Sequence, residues 1–199
     1  WSVGLNLLEH DPGVIKLHPH VENVMQEVSL VLGEERGDFK PVGDWWMRNA
    51  LTTLAQVKLS ACELQYIAHP DPETAIVRRR ILSDERIDAT LRDEWAQFET
   101  APLSKRDLIN TYIKGRAVPF STPHARRIFG QLESTVDFKA AMDEGKLILV
   151  NLNSGSISEN EQRMLGVETI YKIKDAAMGR KKTERPFIVL IDEFGSLVN

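Results

Sequence analysis

Residues 143–197 read DEGKLILVNLNSGSISENEQRMLGVETIYKIKDAAMGRKKTERPFIVLIDEFGSL, and the spacing of apolar residues in this stretch decides the expected fold. Leu147-Ile148-Leu149-Val150 is too short for a helix and is bounded by turn residues, the pattern of a strand buried on both faces. Ser158-x-x-Glu161 predicts a capping box that opens a long helix, with Met164, Val167, Ile170, Tyr171, Ile173 and Ala177 facing inward. Gly179 and the polar run to Arg185 close that helix, and Phe187 to Ile191 form a second apolar run that ends in Asp192-Glu193. Strand, helix and strand predict a parallel βαβ unit with a right-handed crossover.

Working back from that stretch, the chain reads as helix and turn. Val21, Val24, Met25, Val28, Val31 and Leu32 share one helical face. A second helix is expected from Asp44, with Trp46, Ala50, Leu54 and Val57 in one stripe and the adjacent Trp45 and Trp46 in the core. His69-Pro70-Asp71-Pro72 breaks the chain after a short helical stretch at Leu64 to Ala68, and a further helix runs from Pro72 toward Leu82. Ser83-Asp84-Glu85 is expected to start a helix that carries Ile87, Leu91, Trp95 and Phe98. Ser104-x-x-Asp107 is expected to cap the next, and Ser134-x-x-Asp137 a short one that Gly145 ends in a left-handed conformation. The fold class is therefore α/β, a parallel sheet segment beside an all-helical subdomain. Residues 1–9 are assigned to the end of a core element, 10–130 to the helical insertion and 131–199 to the α/β segment.

Composition narrows the function classes. A chain of 199 residues with 42% hydrophobic content buries one sizeable core. Its net charge of -4 does not mark a nucleic-acid binder as a whole, although Arg78-Arg79-Arg80, Arg126-Arg127 and Arg180-Lys181-Lys182 are local basic runs. The one cysteine, Cys62, excludes an internal disulfide framework and a Cys-rich zinc site, which fits a reducing, cytoplasmic compartment. No apolar run approaches the roughly 20 residues of a membrane span, so any membrane association is expected to come from regions outside this chain. The chain lacks an initiator Met and is expected to be a piece of something longer. His18-Pro19-His20 has no accompanying ligand set and reads as the turn into a helix.

Candidate chemistry sits at the end of the last apolar run. In open parallel sheets, ligands bind at the carboxyl ends of strands, where Asp192 and Glu193 are expected. Asp192 suits the role of holding Mg²⁺ on the phosphates of ATP through water, and Glu193 that of orienting the attacking water. An acidic pair in this position equally serves to cap the turn that follows. Arg180 reads either as an arginine finger toward a neighbouring subunit or as a cation at a helix C-terminus. Ser154 lies in the loop after the first apolar run, where it either borders the nucleotide or belongs to the next helix cap.

Several of these features occur together in one family. Gly145-Lys146 before an apolar run ending at Asn151-Leu152, Leu165-Gly166, Ala176 to Arg180, and Pro186 to Phe194 resemble the HerA/FtsK superfamily of P-loop ATPases. Within it, the conjugative coupling ATPases of type IV secretion are the nearest in pattern. The Ser83 to Trp95 stretch and Arg127 to Gln131 resemble the helical insertion of those proteins. The resemblance implies a motor that hydrolyses ATP with Mg²⁺, moves DNA, forms a hexameric ring and meets a relaxase or secretion channel. It also implies that Phe187 to Glu193 is a Walker B element. No G-x-x-x-x-G-K-[ST] is present, and Gly145-Lys146 runs into Leu147 instead of opening a helix, so the chain alone is expected to be inactive. A non-catalytic helical module or degenerate relative that recruits DNA or protein is the alternative.

Overall fold

The computed structural model describes residues 3–33, 39–152, 155, 157–181, 186–192 and 195. Its helices are α1 (Leu17–Leu32), α2 (Lys40–Gln56), α3 (Leu64–Ile67), α4 (Pro72–Leu82), α5 (Ala89–Thr100), α6 (Leu103–Arg116), α7 (Pro123–Phe129), α8 (Phe138–Asp143) and α9 (Glu159–Met178). Short 3-10 turns at Ala61–Glu63 and Val118–Phe120 join α2 to α3 and α6 to α7. α1 packs on both α2 and α9, α2 packs on α6, and α8 packs on α9. One cluster of buried side chains runs through them from Leu5 to Val167.

The core follows from helical periodicity. Val21, Val24, Val28 and Val31 are buried along α1 as their three- and four-residue spacing requires. Trp46, Trp95 and Phe98 form a triangle with each pair of ring centroids 5.4 Å apart. The indole of Trp95 donates to Thr53 Oγ1 at 2.9 Å, which satisfies its one polar atom in the core. Trp45 departs from expectation: it lies on the outer face of α2, about half exposed.

Several helix starts also differ from their sequence signals. Ser83 instead closes α4, and α5 begins at Asp88, whose side chain accepts from Leu91 N–H. The Ser104 box does not form, because α6 already starts behind Pro102. Asp137, not Ser134, caps α8 by accepting from Ala140 N–H. The predicted box at Ser158 and Glu161 is present in full, and Gly145 takes the left-handed conformation expected of it, with φ 70°.

The main correction concerns fold class. Among the described residues there is no strand and no sheet, so the expected parallel βαβ unit of an α/β P-loop fold is absent. The segments 147–150 and 186–191 carry no regular secondary structure and form no ladder. Leu147 and Leu149 are 84% and 85% exposed, and Ile188 and Leu190 79% and 91%, where strands of a covered parallel sheet would be buried on both faces. A run of apolar residues records a preference for burial, and it forms a sheet only where neighbouring strands supply hydrogen bonds and helices cover both faces.

The N-terminal segment is tied in by its backbone. Leu5 N–H donates to Ile128 O at 2.8 Å, and Thr135 N–H donates to Gly4 O at 2.9 Å. The buried Asn6 side chain donates to Leu132 O and accepts from Leu8 N–H. These bonds bring residues near 130 beside the start of the chain. No helix among the described residues is long and apolar enough to cross a membrane.

Candidate functional site

α9 is the element around which the candidate site is built, because its two faces meet different surroundings. Gln162, Arg163, Gly166, Thr169, Ile170 and Ile173 recur at three- and four-residue spacing and line a cavity of about 940 Å³. The opposite wall consists of Gly145 to Ile148, Val150 to Leu152 and Pro186 to Asp192. Glu161, Met164 and Glu168 fall on the other side of the helix and are buried.

Three polar anchors hold α9 in place. At its N-terminus Glu161 completes the Ser158 capping box and accepts from the hydroxyl of Thr122, itself the N-cap of α7. Burial pushes the Glu161 carboxyl up, and the hydrogen bonds from Thr122 and Ser158 outweigh it, holding the group below its usual range. Past the C-terminus Arg180 Nε donates to Asp143 Oδ1 at 2.7 Å, and Lys139 donates to the other oxygen of the same carboxylate at 2.8 Å. Lys139 and then Arg180 hold Asp143 below the ordinary carboxylate range. In the middle, Glu168 lies against Glu27 of α1, and Lys172 donates to Glu9 O at 2.7 Å.

The cavity mixes an apolar body with a polar end. Leu147, Ile148, Ile170, Ile173, Phe187 and Val189 supply the first, and Lys146, Asn151, Glu159, Gln162, Arg163 and Asp192 contribute polar groups. Arg163 Nε is shielded from solvent and has no hydrogen-bond partner. A volume near the upper end of the usual 300–1,000 Å³ range for ligand sites accommodates a nucleotide-sized molecule.

Of the residues singled out from sequence, Asp192 lies in an exposed turn on the cavity wall. Glu193 and Ser154 lie outside the described residues. Arg180 sits at the far end of α9, with its guanidinium on Asp143. Among the described residues no group of three or more His, Cys, Asp or Glu side chains could hold a metal ion. A lone Asp at the cavity wall still fits Mg²⁺ bound to a nucleotide, since that ion keeps several waters and takes phosphate oxygens with one or two carboxylates. Cys62 is buried, and burial pushes its thiol up to about 11, although a hydrogen bond with Ser60 opposes the rise.

Sequence reading missed several buried polar groups, Glu27, Glu168 and Arg78 among them. For the two glutamates a signal existed. Glu27 follows Val24 by three positions and precedes Val31 by four, and Glu168 follows Met164 by four and precedes Tyr171 by three, so each interrupts an apolar stripe. Comparisons with protein-family models, curated proteins and solved structures find no match to this chain.

Proposed function

We propose that this chain is part of an ATP-hydrolysing machine of the HerA/FtsK kind that moves nucleic acid, with Asp192 and Glu193 as its acidic site. The observation that carries the reading is the position of Asp192 on the wall of a nucleotide-sized cavity that Lys146 and Arg163 also line. This role needs a carboxylate beside a space for phosphates, and needs no pairing of the two apolar segments. Asp192 would hold Mg²⁺ on the nucleotide through water, and Glu193 would orient the attacking water; neither does covalent work, because phosphoryl transfer is catalysed by positioning and charge. The phosphate-cradling glycine loop is missing from these 199 residues, so turnover belongs to the full-length gene product. DNA as cargo, a hexameric ring and a relaxase or secretion-channel partner come with the family resemblance.

A second reading is favoured by the exposure of Leu147, Leu149, Ile188 and Leu190 together. Contiguous exposed apolar side chains mark interaction surfaces, which suits a non-catalytic helical module that recruits a partner. One experiment separates the two. In the full-length gene product, Glu193→Gln is expected to abolish ATP turnover and leave ATP binding intact. Turnover equal to the wild type refutes the catalytic role, and absence of ATP binding by the wild type itself selects the recruiting module.

A further inference from the structure

The α1–α9 interface contains two acids where the surrounding packing calls for apolar groups. Glu27 and Glu168 are each 2% exposed, and their carboxyls lie against one another where α1 packs on α9. Two carboxylates cannot hydrogen-bond without a proton between them, because the ionised group only accepts. Glu27 Oε2 and Glu168 Oε1 are buried, and no donor of another residue reaches them. Lys172 Nζ stands 3.7 Å from Glu168 Oε1, too far for a hydrogen bond, and donates one of its three protons to Glu9 O.

We propose that Glu27 and Glu168 hold a single proton between them and thereby form a pH-sensitive clamp that fastens α9 to α1. Every charged neighbour bears on this pair. From α9, Lys172 offers one positive charge and Asp175 adds a negative one, with the Tyr171 phenol beside them. From α1 and the N-terminal segment come His20 and His10, whose rings stack with centroids 5.1 Å apart. Burial, reinforced by Lys172, lowers His20 to about 4, so this ring brings no charge at neutral pH. On α2, Arg48 is committed to Glu22, one turn and more from Glu27 along α1, and Asp44 to Tyr112. A single ammonium therefore faces two buried carboxyls, and the second keeps its proton. Burial first, and the charge of Glu168 next, hold Glu27 well above the ordinary value of 4.5.

The sign of the pH effect follows. A carboxyl that retains its proton in the folded state binds more protons than the unfolded chain at pH values above 4.5. Stability is then greatest below the unfolded value and falls as pH rises toward the raised one. One proton is worth about 1.4 kcal/mol per pH unit, or roughly 3–5 °C in Tm for a chain of this size. This clamp is independent of any nucleotide.

The test follows Tm between pH 5 and 8 for the wild type and for Glu27→Gln, which keeps the hydrogen bond and cannot ionise. The wild type is expected to lose roughly 3–5 °C per pH unit over part of this range. The variant is expected to lose that slope and to melt above the wild type at pH 8. Should Glu27→Gln fail to fold, infrared spectra of the wild type decide alone. The carbonyl band of a protonated carboxyl at neutral pH supports the clamp; its absence, or a flat Tm profile in the wild type, overturns it.

Discussion

Arg78 is the position at which a single substitution tests most of the helical body. Its side chain is fully buried, and its Nη1 donates to Ile67 O at 3.0 Å and His69 O at 2.9 Å. Nε and Nη2 both donate to Glu99 Oε1, at 3.2 and 3.1 Å, and the guanidinium lies over Phe98 at 4.9 Å from the ring centroid. The two carbonyls belong to the end of α3 and the break that follows, so Arg78 acts as a C-terminal cap delivered from α4. Arg78→Met keeps most of the volume and removes every donor. Leaving a buried carbonyl unsatisfied costs about 1–3 kcal/mol, and the second, part-buried one costs less. The Glu99 side chain is 35% exposed and regains water, so loss of the ion pair adds only about 1 kcal/mol. The expected total is about 3 kcal/mol, or roughly 6–12 °C in Tm for a chain of this length. Urea unfolding should show a lower midpoint at unchanged slope. Arg78→Lys is expected to lose about half as much, because an ammonium cannot reproduce the planar fork that serves the carbonyls and the carboxylate together. A loss below about 1 kcal/mol for the Met variant, or none for Lys, would show that these carbonyls find other donors and that the cap is not real.

Two further substitutions probe the same body from other sides. Thr53→Val, near-isosteric, takes the acceptor from the buried Trp95 indole and should cost about 1–3 kcal/mol in urea unfolding, whereas Thr53→Ser keeps it and should cost clearly less. Gly43→Ala should destabilise by about 1–2 kcal/mol despite the better helix propensity of Ala. The reason is that a Cβ at Gly43 would lie 2.5 Å from the Tyr112 ring, which its bond to Asp44 and the guanidinium of Arg116 hold in place. A rise in Tm for Gly43→Ala would mean that the ring moves aside freely.

These outcomes bear on what could be read in the sequence. Helix positions were legible where apolar spacing spans several turns, as in α1, because burial of one stripe fixes both the period and the face. Helix starts were less so: Ser83, Ser104 and Ser134 all carry capping chemistry, but the start is set by which nearby acceptor reaches an unpaired N–H once the helices have packed, and Asp88 and Asp137 win that competition. Arg78 was hidden inside a run of three arginines whose simplest reading is a solvated face, and only the fold shows that the middle of α4 turns one of them inward. For the candidate site, the acidic pair at Asp192 stood out in the sequence, while its surroundings did not. The Leu147 to Val150 run reads as a buried strand, yet Leu147 and Leu149 stay mostly exposed here, since composition records a preference for burial and does not supply what buries it. Glu27 and Glu168 show the converse. Each acid replaces an apolar residue at a position where periodicity demands one, and such an interruption is tolerated only if the group stays neutral or finds a partner. A single interruption in one helix is weak evidence. When the helices pack so that two interruptions meet, with one ammonium near the pair and water kept out, the sequence has specified a proton that no residue type announces.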